Sequence, residues 1–159
     1  MDTKNFKIVI DSDDAGSELK KVLLEHLKVK GIAAADLDYQ SRAGGAYYPE
    51  IGYNLALKIQ SGEYERGILI CGTGLGMSII ANKVEGVYAG VCHDVYSATR
   101  LRRSNNAQVL TMGARVIGPE SAKAIVDAWI ESEFDGGGSL PKIEQLRSLE
   151  KKSFSKSGE

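Results

Sequence analysis

Between Gly67 and Cys71 the chain reads GILIC, a run with no polar side chain to turn toward water. It continues directly into Gly72-Thr73-Gly74-Leu75-Gly76 and a short helical stretch to about Lys83. A strand that is apolar on both faces needs cover on both, as in the middle of a parallel sheet with helices above and below. The flanking sequence supplies the alternation this requires. Phe6–Asp11 (FKIVID) is a first strand ending in the polar turn Ser12–Gly16, and Ser17–Lys30 carries Leu19, Val22, Leu23 and Leu27 at helical spacing before Gly31 stops it. Ile32–Asp38 is a second strand and Ser41–Tyr48 a glycine-containing loop; Pro49 opens a helix running to about Ser61. Val87–Val91 and Gln108–Met112 are the fourth and fifth strands, followed by helices at Val95–Arg103 and Pro119–Ser132. This order predicts an α/β fold, a five-stranded parallel sheet with helices on both faces.

Residues 136–159 differ in character. Gly136-Gly137-Gly138 is a hinge, Pro141–Lys152 a charged helix, and SFSKSGE a frayed tail. The chain is therefore divided into one α/β domain over residues 1–135 and a hinge, helix and tail over 136–159. Ile143, Leu146 and Leu149 share one face of that last helix and want an apolar surface, which in so small a protein points to a second subunit. A chain of 159 residues has room for one sizeable core. Its net charge of −1, with acids and bases mixed, argues against nucleic acid or an anionic membrane surface as partner. No apolar stretch is long enough to span a bilayer, and MDTKNFKIVI reads as a strand rather than a signal peptide. Cys71 and Cys92 could pair, but reduced thiols in the cytoplasm are the expectation.

Ligands of open parallel sheets bind beyond the carboxyl ends of the strands, here Asp11–Asp14, Cys71–Gly76, Cys92–Asp94 and Gly113–Arg115. A strand that ends in Cys, then GTGLG, then a helix presents several backbone N–H groups to an anion, either a phosphate or an enediolate oxygen. The same positive end favours the thiolate of a nearby cysteine, and a thiolate beside an anion hole suits proton abstraction next to a carbonyl. The bland reading stays open at this point: a cysteine on a buried strand is by default a small inert hydrophobe. The motif is not a dinucleotide fingerprint, because it follows the third strand and lacks a ribose-binding acid, and it lacks the Lys-Ser/Thr of a P-loop.

The segments GILICGTGLGMSIIANKVEGVYAGVCHDVYSA and NNAQVLTMGARVIGPESAKAIVDAW closely resemble the ribose-5-phosphate isomerase B/galactose-6-phosphate isomerase family. The resemblance extends from Phe6 to about Gly137. It implies a Rossmann-like three-layer α/β/α fold, a homodimer or dimer of dimers with active sites shared between subunits, a sugar-phosphate substrate, and no metal or nucleotide cofactor. It also implies roles by position. Cys71 matches the base that moves a proton between C1 and C2, and Thr73 with the backbone of Gly72, Gly74 and Gly76 matches the anion hole. Asp13 matches an acid that contacts sugar hydroxyls, Tyr48 a tyrosine near the substrate, Asn105 a sugar-binding asparagine and Arg115 a phosphate-binding arginine. Lys142 falls where the family often carries a further arginine, keeping the charge but losing the bidentate fork.

Departures from the pattern bear on the substrate. Asp13-Asp14 stands where the family has Asp-His, Ser104 where it has the ring-opening histidine, and Gly137-Gly138-Ser139 where an arginine grips phosphate. Tyr47-Tyr48-Pro49 replaces Asp-Tyr-Pro. A ribose phosphate is mainly a closed ring that must be opened by proton transfer, which the Ser104 hydroxyl cannot perform. A tetrose 4-phosphate has no such need, since the hydroxyl that could close a five-membered ring carries the phosphate. The expectation is therefore an erythrose/erythrulose 4-phosphate isomerase acting through a cis-enediolate, with Asp14 and Ser104 also at the substrate. The alternatives are a ribose-5-phosphate isomerase and a non-catalytic subunit of a two-chain isomerase. His93 is expected to be structural in preference to a proton shuttle, His26 to face solvent, Cys92 to be a packed thiol, and Arg100, Arg102 and Arg103 to form a solvated basic face, the alternative being that one of them replaces the absent arginine.

Overall fold

The computed structural model describes residues 6–155. Five parallel strands, β1 (Ile8–Ser12), β2 (Ala34–Asp36), β3 (Arg66–Cys71), β4 (Ala89–Val91) and β5 (Val109–Gly113), lie side by side in the order β2-β1-β3-β5-β4. In register, Ser12 of β1 lies beside Ile70 of β3, and Cys71 beside Gly113 of β5. After β1 the chain moves outward to β2, then recrosses to β3 on the other side. The loops leaving β1 and β3 therefore part, and a crevice opens at their carboxyl ends.

The helices are α1 (Ser17–Val29), α2 (Tyr39–Arg42), α3 (Tyr48–Gln60), α4 (Leu75–Ala81), α5 (Val95–Arg103), α6 (Pro119–Glu131) and α7 (Leu140–Ser155). The two-residue period of the strands sorts them into layers. Ile8, Ile10, Ile68, Ile70, Leu110 and Met112 pack against α1, α5 and α6. Val9, Leu69, Cys71 and Val109 pack against α3 and α4. Every residue of β3 is buried, as its unbroken hydrophobicity requires. The result is the expected three-layer α/β/α arrangement. Among the described residues no helix is long and apolar enough to cross a membrane.

The edges depart from expectation. β2 and β4 shrink to three residues each, because an edge strand has one neighbour and its ends are taken by turns. Ile32 N–H closes the end of α1 on the Leu27 carbonyl, and Val87 N–H folds back to Val84. Strand β1 extends to Ser12, and a short α2 forms just after the expected second strand, running into the segment read as loop. Its start is held from a distance: the Asp11 carboxylate on β1 accepts the Tyr39 N–H at 3.1 Å. Ser153–Ser155, expected to fray, continue α7, while the rest of that tail and the first five residues of the expected strand MDTKNFKIVI lie outside the described residues. Of the apolar face of α7, Ile143 is buried, whereas Leu146 and Leu149 are exposed. Glu150 anchors the helix, accepting from Gly86 N–H and from the Tyr88 hydroxyl, each at 2.9 Å.

One buried charge ties the sheet to its helical cover. Arg66 opens β3 at 2% exposure and donates to the Trp129, Ile130 and Ser132 carbonyls at 2.9–3.1 Å. These carbonyls lie at the negative end of α6 and on the residue that caps it, where Trp129 also accepts Ser132 N–H. Its guanidinium lies 3.8 Å above the Phe6 ring. Burial, helped by the charge of Arg102, pulls Arg66 down to about 10, so it stays a cation at neutral pH. Replacing Arg66 by Met strands those carbonyls in an apolar setting. We expect a loss of about 3 kcal/mol, read as a lower urea midpoint with an unchanged slope.

Candidate active site

The turn after β1 is organised by carboxylates. Asp11 is fully buried and accepts from Ser12 N–H at 2.8 Å and Tyr39 N–H at 3.1 Å. Lys20 of α1 lies 3.5 Å from it and 2.9 Å from Asp36. Burial pushes the Asp11 carboxyl up, and the two N–H bonds and Lys20 oppose that shift. Next along the turn, Asp13 donates its backbone N–H to Ile70 of β3 at 3.3 Å and accepts Gly16 N–H on Oδ1 at 3.2 Å. One carboxylate oxygen thus caps the turn, and Oδ2 has no hydrogen bond among the described residues.

The loop after β3 carries the thiol. Cys71 faces the α3/α4 layer at 5% exposure, and its Sγ accepts Gly74 N–H at 3.1 Å. On the other side of the same residue, the buried Thr111 of β5 donates its hydroxyl to the Gly74 carbonyl at 2.9 Å. Thr73 Oγ1 accepts Leu75 N–H at 3.3 Å. The turn after β5 runs alongside, with Ala114 N–H bonded to the Cys71 carbonyl and Arg115 N–H to that of Gly72. Glycine lets two side chains lie close against this loop. A Cβ on Gly76 would stand 2.4 Å from the Tyr48 ring, and one on Gly72 would stand 2.9 Å from the Arg115 guanidinium.

These elements enclose a cleft of about 330 Å³ lined by Asp13, Ala15, Tyr48, Cys71, Gly72, Thr73, Gly76 and Arg115. An aromatic ring, a thiol in contact with an N–H, a carboxylate and a guanidinium thus meet in one small space. Asp14 lies outside it, in an adjoining hollow of about 300 Å³ with Lys20, Asp38 and Gln40. A larger hollow of about 910 Å³ between α1 and β2 contains no thiol or imidazole.

The structure does not bring Ser104, Asn105 or Lys142 to this cleft. Ser104 caps α5 just before β5 begins, whereas Cys71 lies beside the residue that ends β5. Asn105 lines a separate hollow with Tyr88, Leu146 and Glu150, and Lys142 is exposed at the start of α7. None of Arg100, Arg102 and Arg103 reaches the cleft: Arg102 bonds the Ala107 carbonyl at 2.7 Å, and Arg103 lies 4.0 Å from Asp135. His26, expected to face solvent, is instead largely covered and bonded to Asp127 of α6 at 2.8 Å, because α1 and α6 pack side by side. Sequence reasoning missed Thr111 and Asp11. The signal was there in both, a polar residue inside or at the end of an otherwise apolar strand.

Both cysteines are free. Burial, and then Asp94, push the Cys92 thiol up to about 11. At pH 8 only about 0.1% of such a thiol is ionised. Iodoacetamide at that pH is therefore expected to alkylate Cys71 in the native protein and Cys92 only after unfolding, as peptide mass mapping will report.

Comparison with known proteins gives the family of the chain. The family model for ribose/galactose isomerase matches residues 8–146. A D-erythrulose-4-phosphate isomerase of Pectobacterium atrosepticum is 51% identical over 139 residues, 87% of this chain and 91% of that one. Ribose-5-P isomerase B of Listeria innocua is 44% identical over 147 residues, 92% of this chain and 98% of its own. Among solved structures, ribose-5-phosphate isomerase B of Clostridium thermocellum superposes with a TM-score of 0.85 at 40% identity, covering 92% of this chain and 99% of that one. With a matched model across nearly all of the folded chain, and relatives this similar over nearly their whole lengths, the protein belongs to the ribose/galactose isomerase family.

Proposed function

We propose that this isomerase interconverts the aldose and ketose forms of a tetrose 4-phosphate, with Cys71 as the proton-transferring base. The observation that carries the reading is the Cys71 Sγ held 3.1 Å from Gly74 N–H on the wall of a cleft that also contains Arg115. In the reaction the thiolate takes the proton from the carbon beside the carbonyl. Negative charge then develops on the carbonyl oxygen of a cis-enediolate, which the Thr73 side chain and the N–H groups of the Gly72–Gly76 loop stabilise. The thiol returns the proton to the former carbonyl carbon, while the hydroxyl proton passes from the oxygen that becomes the new carbonyl to the oxygen that was the old one, completing the exchange of aldehyde and ketone. Asp13 accepts from the sugar hydroxyls through its uncommitted oxygen, Tyr48 covers the bound chain, and Arg115 holds phosphate.

Two considerations favour four carbons. A tetrose 4-phosphate is open-chain, so Ser104 in the ring-opening position costs it nothing. The relative at 51% identity is named as an erythrulose-4-phosphate isomerase. The cleft of one chain lacks Ser104, Asn105 and Lys142, and we place these at the site through a second copy of the chain. An apolar surface beside the cleft suits that docking: Tyr53 and Leu57 of α3 and Leu75 and Ile79 of α4 are exposed on adjacent, packed helices.

Purified protein is expected to turn over erythrose or erythrulose 4-phosphate far better than ribose 5-phosphate, and Cys71→Ala to reduce kcat about 10²–10⁴-fold. Strong Cys71-dependent turnover of ribose 5-phosphate with none of the tetroses would overturn the assignment. Ile79→Asp is expected to yield a folded monomer by light scattering with turnover at background. A monomer of undiminished activity rules out the shared site.

A further inference from the structure

The sheet loses a strand contact close to the catalytic thiol, and a side chain replaces it. Cys92 N–H donates to the Thr111 carbonyl at 3.0 Å, the last backbone bond between β4 and β5. Beyond it the chain turns away, because Asp94 begins α5 by accepting Ser97 N–H and the Ser97 hydroxyl, both at 2.7 Å. The next amide on that side of β5, two residues on, is Gly113 N–H, and a strand-end donor left without an acceptor is costly. His93 fills the gap: its Nε2 accepts Gly113 N–H at 2.8 Å. A backbone amide can only donate, so Nε2 is the acceptor in this bond.

Gly113 is where the two functional loops touch. A Cβ placed on it would lie 2.6 Å from the Thr73 backbone and 2.7 Å from the Gly72 carbonyl oxygen. Its own carbonyl accepts from Val116 and Ile117, closing the turn that carries Arg115 over Gly72. By contrast, Gly74, which bonds the thiol, is held by Thr111. The two ends of the cleft thus have separate supports.

We propose that His93 is a positioning residue: by accepting Gly113 N–H it seats the Gly113–Arg115 turn against the Thr73 loop and fixes Arg115 at the phosphate end of the cleft. The inference rests on the sugar-phosphate reading of the site, and it predicts a split between binding and turnover. His93→Leu is expected to raise KM for the tetrose 4-phosphate and the dissociation constant for inorganic phosphate by about tenfold each, with kcat changed less than about threefold. His93→Gln places an amide oxygen within the same reach and is expected to restore both constants to within about threefold of the parent. Gly113 amide exchange, followed by NMR, is expected to be slow in the parent and in His93→Gln and fast in His93→Leu.

A fall in kcat at constant KM, or a Gln variant as impaired as the Leu variant, overturns the positioning role. Phosphate affinity indifferent to His93 overturns it whatever the turnover. No turnover of any sugar phosphate, with phosphate affinity still following the Leu and Gln variants, sinks the proposed function and leaves the role of His93 standing.

Discussion

The site depends on β3 being buried on both faces while its last residue stands at the edge of the sheet. Ile68 and Ile70 are locked into one layer and Leu69 and Cys71 into the other, so the strand can neither slip by one residue nor tilt. Where β3 ends, the chain leaving β1 and the chain leaving β5 lie on either side of it. Cys71 therefore belongs both to the α3/α4 side of the core and to the wall of the cleft. Asp13 reaches it from one side and Arg115 from the other, each tied to β3 or its loop by a backbone hydrogen bond.

Charge is distributed with the same economy. On the β1 side, Lys20 sits among Asp11, Asp36 and Asp38, and its charge is taken up by those carboxylates. On the β5 side, Arg115 is the cation that lines the cleft. The carboxylates of Asp13 and Asp14 on one side and the Arg115 guanidinium on the other give the cleft and its surroundings a gradient of charge. The thiol lies between, next to the N–H of Gly74, the residue whose carbonyl accepts the Thr111 hydroxyl. Cys92, just past the end of β4 and two strands from β3, has no such donor among the described residues, and burial and Asp94 push its thiol up. The environments of the two cysteines, both buried, thus differ: one sulfur accepts a backbone N–H at the wall of the cleft and the other is packed in the core.

Much of this was legible in the sequence because it is local. The alternation of strands and helices, the layer assignment of residues in β3, and the meeting of Asp13, Cys71, Thr73 and Arg115 at strand carboxyl ends follow from periodicity and chain direction. The resemblance added Tyr48, whose approach to Gly76 no spacing rule reveals. What stayed hidden has a common origin in long-range contact. Asp11 organises α2 from 28 residues away, Thr111 grips Gly74 from 37 away, and His93 bonds Gly113 from 20 away.

The sequence by itself determined the fold class, the family and the thiol, since each rests on residues adjacent in the chain or on one strand's period. The tertiary structure decided which residues share a space. It set Asp14 in the neighbouring hollow and sent Ser104, Asn105 and Lys142 away from Cys71. The reason is direction: α5 runs back along the sheet, so a residue between α5 and β5 is carried to the end opposite the one where β3 delivers its cysteine.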